Sequence, residues 1–157
     1  MEMNLLQAIK ERHSVRSYTD RPIEGRVREE LQAFIEQCNK ESGLRFQLVL
    51  NEPQAFAGLM AHYGKFSNVR NYIALVGGRG AGFEEKCGYF GEKVVLYAQT
   101  LGLNTCWVAL TYNKGKTQFA ADRGEKLHLV IAIGYGTEPG VPHRSKPREK
   151  VMQVRTA

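Results

Sequence analysis

Cysteine is scarce in this chain of 157 residues. Cys38, Cys87 and Cys106 are odd in number, far apart and without a C-x-x-C spacing. That pattern argues against a disulfide scaffold and for a reducing compartment, here expected to be the cytoplasm. Proline is sparse too, with 5 residues, and no repeat or low-complexity tract is present, which sets aside disordered and fibrous classes. No apolar run approaches the roughly 20 residues that cross a bilayer. The opening MEMNLLQAIKER carries charges inside its apolar stretch and no small-residue cleavage site follows, so a signal peptide is not expected.

Acidic residues are also in deficit, 16 against 22 Lys and Arg, which leaves a net charge of +6. Most of that excess lies at one end. From His143 to Ala157 five bases (Arg144, Lys146, Arg148, Lys150, Arg155) face one acid, Glu149. This basic segment holds no aromatic residue, whereas nucleic-acid surfaces usually spread bases among exposed aromatics. No nucleic-acid or membrane partner is therefore expected, and a compact anion or plain solvation accounts for the charge as well. The remaining balance, 43% apolar and 24% charged, is that of a globular chain, and residues 1–157 are expected to form one domain.

Apolar spacing then places the elements. Asn4 is a helix cap for Leu5 to about Arg12, and Val27, Leu31, Phe34, Ile35 and Cys38 mark an amphipathic helix opening near Pro22. Strands are predicted at Phe46–Leu50, Tyr72–Val76, Asn104–Ala109 and Leu127–Ile133. A short helix is predicted over Ala55 to His62 and a long one from Glu84 to Leu101, with Gly102 ending it. The pattern is that of one mixed α/β or α+β layer domain, and the directions of the strands cannot be read from it.

Several tempting motifs fail. The glycine loop Gly77–Gly82 follows a strand, but a dinucleotide fingerprint needs glycine where Phe83 stands. Gly115-Lys116-Thr117 lacks the earlier glycine of a P-loop, since Leu110 occupies that position. His13, His62, His128 and His143 have no metal-ligand spacing, and no metal is expected. Cys106 beside Trp107 reads as a buried thiol in a strand more readily than as a nucleophile.

One constellation remains. Arg12-His13-Ser14-Val15-Arg16 puts two guanidinium groups and a hydroxyl at the exit of the first helix. Arginine's fork binds phosphate oxygens bidentately and serine adds a neutral donor. Arg12 would equally suit a helix C-terminus, and Arg16 plain solvation. A second basic pair, Arg144 and Lys146, sits in the positive segment.

The stretch AIKERHSVRSYTDRPI (Ala8 to Ile23) resembles the opening of the FMN-dependent nitroreductase family, with its helix, R-x-S-x-R turn and aromatic. LGLNTCWVAL (Leu101 to Leu110), LHLVIAIGYGTEPG (Leu127 to Gly140) and HRSKP (His143 to Pro147) are similar to later stretches of that family, in the same order. The resemblance implies an α+β sandwich with a central mixed sheet of about four to five strands packed by helices. It also implies FMN, with its phosphate held by Arg12, Ser14 and Arg16, backbone of His13, and Arg144 and Lys146. Val108, Ala109 and Leu110 would lie along the flavin ring. The implied activity is NAD(P)H oxidation by ping-pong hydride transfer, with nitroaromatics, quinones or similar electron-poor molecules as acceptors. The reactive atom would belong to the cofactor, so no catalytic side chain is implied. The implied assembly is a homodimer with the flavin at its interface.

The sequence departs from the family at two places. Where members carry a serine/asparagine-rich turn and Q-P-W beside the flavin's pyrimidine edge, this chain has NKESGLRFQLVL. The family's further segment across the partner also has no counterpart before Ala157. A flavin- or ligand-binding relative without turnover is therefore the alternative expectation.

Overall fold

The computed structural model describes residues 4–142 and 144–154; His143 and Arg155–Ala157 of the basic segment lie outside them. Helix α1, Leu5–Glu11, is capped as expected, the Asn4 side chain accepting from the Leu6 amide. Helix α2, Gly25–Ser42, begins three residues after Pro22 and ends where Gly43 turns left-handed at φ 73. Leu31, Ile35 and Cys38 face the core, so the helical spacing read from the sequence holds.

Strand β1 is Gln47–Val49. The single helix expected over Ala55–His62 is instead a 3-10 turn, Gln54–Phe56, and a separate helix α3, Leu59–Tyr63. Gly58 divides them: its φ of 131 lies outside any helical region, and glycine alone tolerates it cheaply. Strand β2, Tyr72–Gly78, leads to helix α4, Phe83–Thr100, then β3, Asn104–Val108, and β4, Glu125–Gly134.

The sheet order is β1-β2-β4-β3, and all three strand pairings are antiparallel. The four-stranded sheet is therefore antiparallel and not the mixed sheet expected; the parallel bridges among the described residues, Ser14 to Thr105 and Ser17 to Ser67, are isolated and add no strand to it. Both faces are covered. Ile73, Leu75, Ile131 and Ile133 pack with Leu31, Ile35, Val94 and Val95 of α2 and α4. Tyr72, Ala74, Val76, Val130 and Ala132 pack with Val15, Tyr18, Ala55, Phe56 and Tyr112 on the other side. Burial on both faces explains why β2 and the end of β4 read as unbroken apolar runs although their neighbours are antiparallel. The irregular side of this sandwich carries the turn that follows α1.

Candidate functional site

The turn after α1 is fastened to the sheet by its backbone. The Val15 amide donates to the Thr105 carbonyl of β3 at 3.0 Å, and the Ser67 amide donates to the Arg16 carbonyl at 2.9 Å. Buried Tyr18 closes the turn, its hydroxyl donating to the Val15 carbonyl at 2.6 Å. With the main chain so occupied, the side chains on either side of Val15 are left to face outward.

Arg12 is the residue that ends α1, and its own amide continues the helix pattern onto the Ala8 carbonyl. Its side chain is only 20% exposed, and Nη1 is buried without a hydrogen-bond partner among the described residues. Nε lies 3.8 Å from Glu92 Oε1 of α4, too far for a tight pair. Glu92 is engaged on its other oxygen by Trp107 Nε1 at 3.0 Å. Beside Arg12, His13 Nδ1 is also buried and unpartnered.

The glycine turn after β4 closes on the same place. Gly140 has φ +84, and a Cβ there would meet His13 Cβ and the Ser14 carbonyl, both at 2.9 Å. At Gly136 a Cβ would meet Val15 Cγ1 at 2.7 Å, while the Gly136 amide donates to Asn104 Oδ1 at 2.9 Å. Only bare backbone permits this approach. Between the two segments lies a cavity of about 270 Å³ lined by Ser14, Arg16, Ser17, Glu138, Gly140 and Val141.

The basic residues beyond it are not part of the cavity lining. Arg144 and Lys146 are exposed, and neither makes a hydrogen bond or ion pair among the described residues. Val108 is the buried end of β3, paired with Val130, whereas Ala109 and Leu110 are exposed in the following loop. His13, Ser14 and Arg16 thus share a neighbourhood with Arg12 and Gly140, and Val108–Leu110 leave the same strand that Ser14 bridges at Thr105.

Cys106 lies beneath this turn, buried in β3. Burial pushes its thiol up, while the Arg16 guanidinium, the Ser14 hydroxyl and Arg12 pull it back. Burial wins, so the thiol stays protonated and poorly nucleophilic at neutral pH. The Tyr18 phenol is raised as well, by burial first and then by Cys106. No group of three or more His, Cys, Asp or Glu that could hold a metal exists among the described residues. No helix among them is long and apolar enough to cross a membrane.

The segment that departs from the family is committed to the fold. The Asn39 side chain accepts from the Phe46 amide at 2.7 Å and donates to its carbonyl at 2.9 Å. Gln47 brackets Ala120 in the same way, at 2.7 Å for each bond. Ser42 donates to the Cys38 carbonyl at 2.7 Å and accepts from the Leu44 amide at 3.1 Å. These amides and hydroxyls are spent on the chain itself.

Sequence reasoning did not single out Glu92 or Glu138. A glutamate within an amphipathic helix carries no local signal of what it will meet; Glu92 reaches Arg12 and Trp107 only through tertiary packing.

Residues 4–157 match the family model described as "Putative TM nitroreductase". No curated protein sequence matches the chain. Among solved structures, a protein from Desulfovibrio desulfuricans described as a "putative nitroreductase in complex with fmn" superposes with TM-score 0.72 at 20% identity. The match covers 100% of this chain and 99% of that one. An FMN-dependent nitroreductase from Clostridium difficile gives TM-score 0.73 at 15% identity, over 97% and 99% of the two chains. A "Nitroreductase-like Family Protein" from Bacillus cereus gives 0.66 at 17%, over 100% and 98%.

Proposed function

The chain belongs to the nitroreductase family, and from that premise we propose that it is an FMN-dependent NAD(P)H oxidoreductase reducing nitroaromatic, quinone or similar electron-poor acceptors. The observation that carries this reading is the junction of the Arg12–Ser17 turn with the glycine turn 136–140 around one cavity. A buried, unpartnered guanidinium nitrogen of Arg12 lies at the edge of that turn. An orphaned donor of that kind costs free energy unless a ligand or solvent satisfies it.

The donor set fits a phosphate monoester. Arg12 and Arg16 supply guanidinium forks, Ser14 supplies a hydroxyl, and Arg144 and Lys146 add charge from the segment that leaves Val141. Bound FMN would accept a hydride from NAD(P)H and pass two electrons to an acceptor. This chain's part is to hold and orient. Ser14 and Arg16 fix the phosphate end, and the exposed residues Ala109 and Leu110 lie along the ring. The buried Val108 end of β3 sets the distance between the two. His13 contributes main chain, its side chain being packed against Gly140. In this reading residues 1–157 work as one domain, as a cytoplasmic homodimer with the flavin at the interface, and the basic segment 143–157 is part of the site.

The spent polar groups of the 39–47 segment favour a second reading, a relative that binds flavin without productive turnover. Visible absorption of the purified protein, alone and with added FMN, separates the readings. Flavin bands that NAD(P)H bleaches anaerobically are expected. Bands that resist bleaching favour the second reading, and a colourless protein that ignores added FMN ends both.

A further inference from the structure

A cavity of about 410 Å³ lies at the end of the loop that leaves β3, where Leu110 forms part of its wall. Its size falls in the range of small-molecule sites. Ala55, Ala57, Leu59, Met60 and Ala61 make the opposite wall, so most of the lining is apolar. Tyr112, Asn113 and Lys114 are the polar exceptions.

These three residues offer donors. Tyr112 is 3% exposed, and its hydroxyl is buried with no hydrogen-bond partner among the described residues. Burial pushes that phenol up, which keeps it protonated and able to donate. The Asn113 side-chain oxygen is taken by the Lys116 amide at 3.2 Å, which leaves its amide nitrogen. The Lys114 ammonium makes no ion pair or hydrogen bond among the described residues and stands exposed at the rim. No carboxylate lines the cavity.

The walls are held by bonds independent of any ligand. The Asn113 amide donates to the Ala55 carbonyl at 2.8 Å and ties one wall to the other. Buried Glu52 accepts from the Gln54 and Ala55 amides at 2.7 and 3.2 Å, and from the Tyr72 hydroxyl at 2.9 Å. Tyr72 in turn accepts from the Gln118 amide at 2.7 Å. The site is therefore formed before anything enters it, which lowers the cost of binding.

We propose that this cavity binds a flat aromatic monoacid, its ring against the Ala55–Ala61 wall and Leu110, its carboxylate at Tyr112 and Lys114. An apolar wall removes ring surface from water, whereas a donor-only edge selects a group made of acceptors. The unpaired ammonium favours that group in its anionic form. The proposal rests on the functional reading above only for the role of such a molecule, the electron acceptor next to a ring on Val108–Leu110.

Isothermal titration of the protein with benzoate, benzamide and 4-nitrobenzoate tests it, with and without FMN. Both carboxylates should bind at least tenfold more tightly than benzamide. Lys114→Met and Tyr112→Phe should each cut that ratio by threefold or more, with circular dichroism unchanged. Equal affinity for benzoate and benzamide, or an unaltered ratio in Lys114→Met, would overturn the proposal. So would competition between FMN and benzoate, since the cavity would then be the cofactor's own. If FMN fails to bind while benzoate selectivity persists, the oxidoreductase reading falls and this site stands.

Discussion

One carboxylate, that of Glu92, links Arg12 to Trp107. Its Oε2 accepts from the indole at 3.0 Å while its Oε1 stands 3.8 Å from the Arg12 guanidinium. The proposed phosphate turn and the strand carrying the proposed ring-binding loop are thus indexed to the same residue of α4. The indole bond is a specific, half-buried contact to a charged acceptor, whereas the guanidinium contact is long and partly exposed. The first therefore dominates the energetics.

Glu92→Ala should lower the free energy of unfolding by about 1–2 kcal/mol, the scale of a hydrogen bond to a charged group together with the indole left unpaired. Glu92→Gln should recover most of that, because an amide oxygen still accepts. Urea denaturation followed by Trp107 fluorescence gives both values, and equal losses in the two variants would show that the ion pair matters more than the indole bond.

At Gly91 the ordinary rule for helices should invert. A helical glycine replaced by alanine usually gains about 1 kcal/mol. Here a Cβ would sit 2.5 Å from Trp107 Cη2, so the indole must move. Gly91→Ala should therefore destabilise by about 1–3 kcal/mol. A thermal melt at or above the wild-type midpoint would mean that Trp107 repacks without strain.

Removing Arg12 tests the phosphate assignment. Arg12→Ala should weaken FMN binding by about 1.5–3 kcal/mol, the scale of a charge-assisted hydrogen bond. Arg144→Ala should weaken it several-fold. Riboflavin, which has no phosphate, should bind both variants as it binds the wild type. Fluorescence titration with the two flavins separates a lost phosphate contact from a damaged fold.

Alkaline pH should loosen the core at a definite place. Burial pushes the Cys87 thiol up to about 11, against an ordinary thiol value near 9.0. Its protonated form is thus favoured in the folded chain. The associated stability is complete below the ordinary thiol range and is lost as pH rises toward 11. Tyr18, Tyr72 and Cys106 are raised in the same sense, chiefly by burial, and add to the loss at high pH. Unfolding free energies measured from pH 8 to 11 should fall, and Cys87→Ala should flatten part of the slope.

The repeating patterns could be read from the sequence, and the tertiary meetings could not. Spacing in α2 and the apolar runs of β2 and β4 announce their elements because each is a local repeat against a buried face. Gly58 breaks a helix that apolar spacing alone would join, since a φ of 131 leaves no mark on hydropathy. Strand direction is likewise silent, because Tyr72 and Ala132 become partners through a long connection. In the site, residue chemistry marks Arg12 to Arg16. Glu92, Tyr112 and Lys114 gain their roles from residues remote in the chain, which no spacing rule reports.

The turn proposed to carry the phosphate donors has another effect, on the sheet's border. Ser14 pairs alongside Thr105, so the outer row of β3 amides and carbonyls is partly covered by the molecule's own chain. The opposite border is β1, three residues long, with Gln47 bound to Ala120. Neither side offers a long row of open main-chain groups, the template on which sheets of separate molecules fuse into aggregates. A lesion in the Ser14–Tyr18 segment would therefore be felt as lost solubility as well as loss of the proposed anion binding.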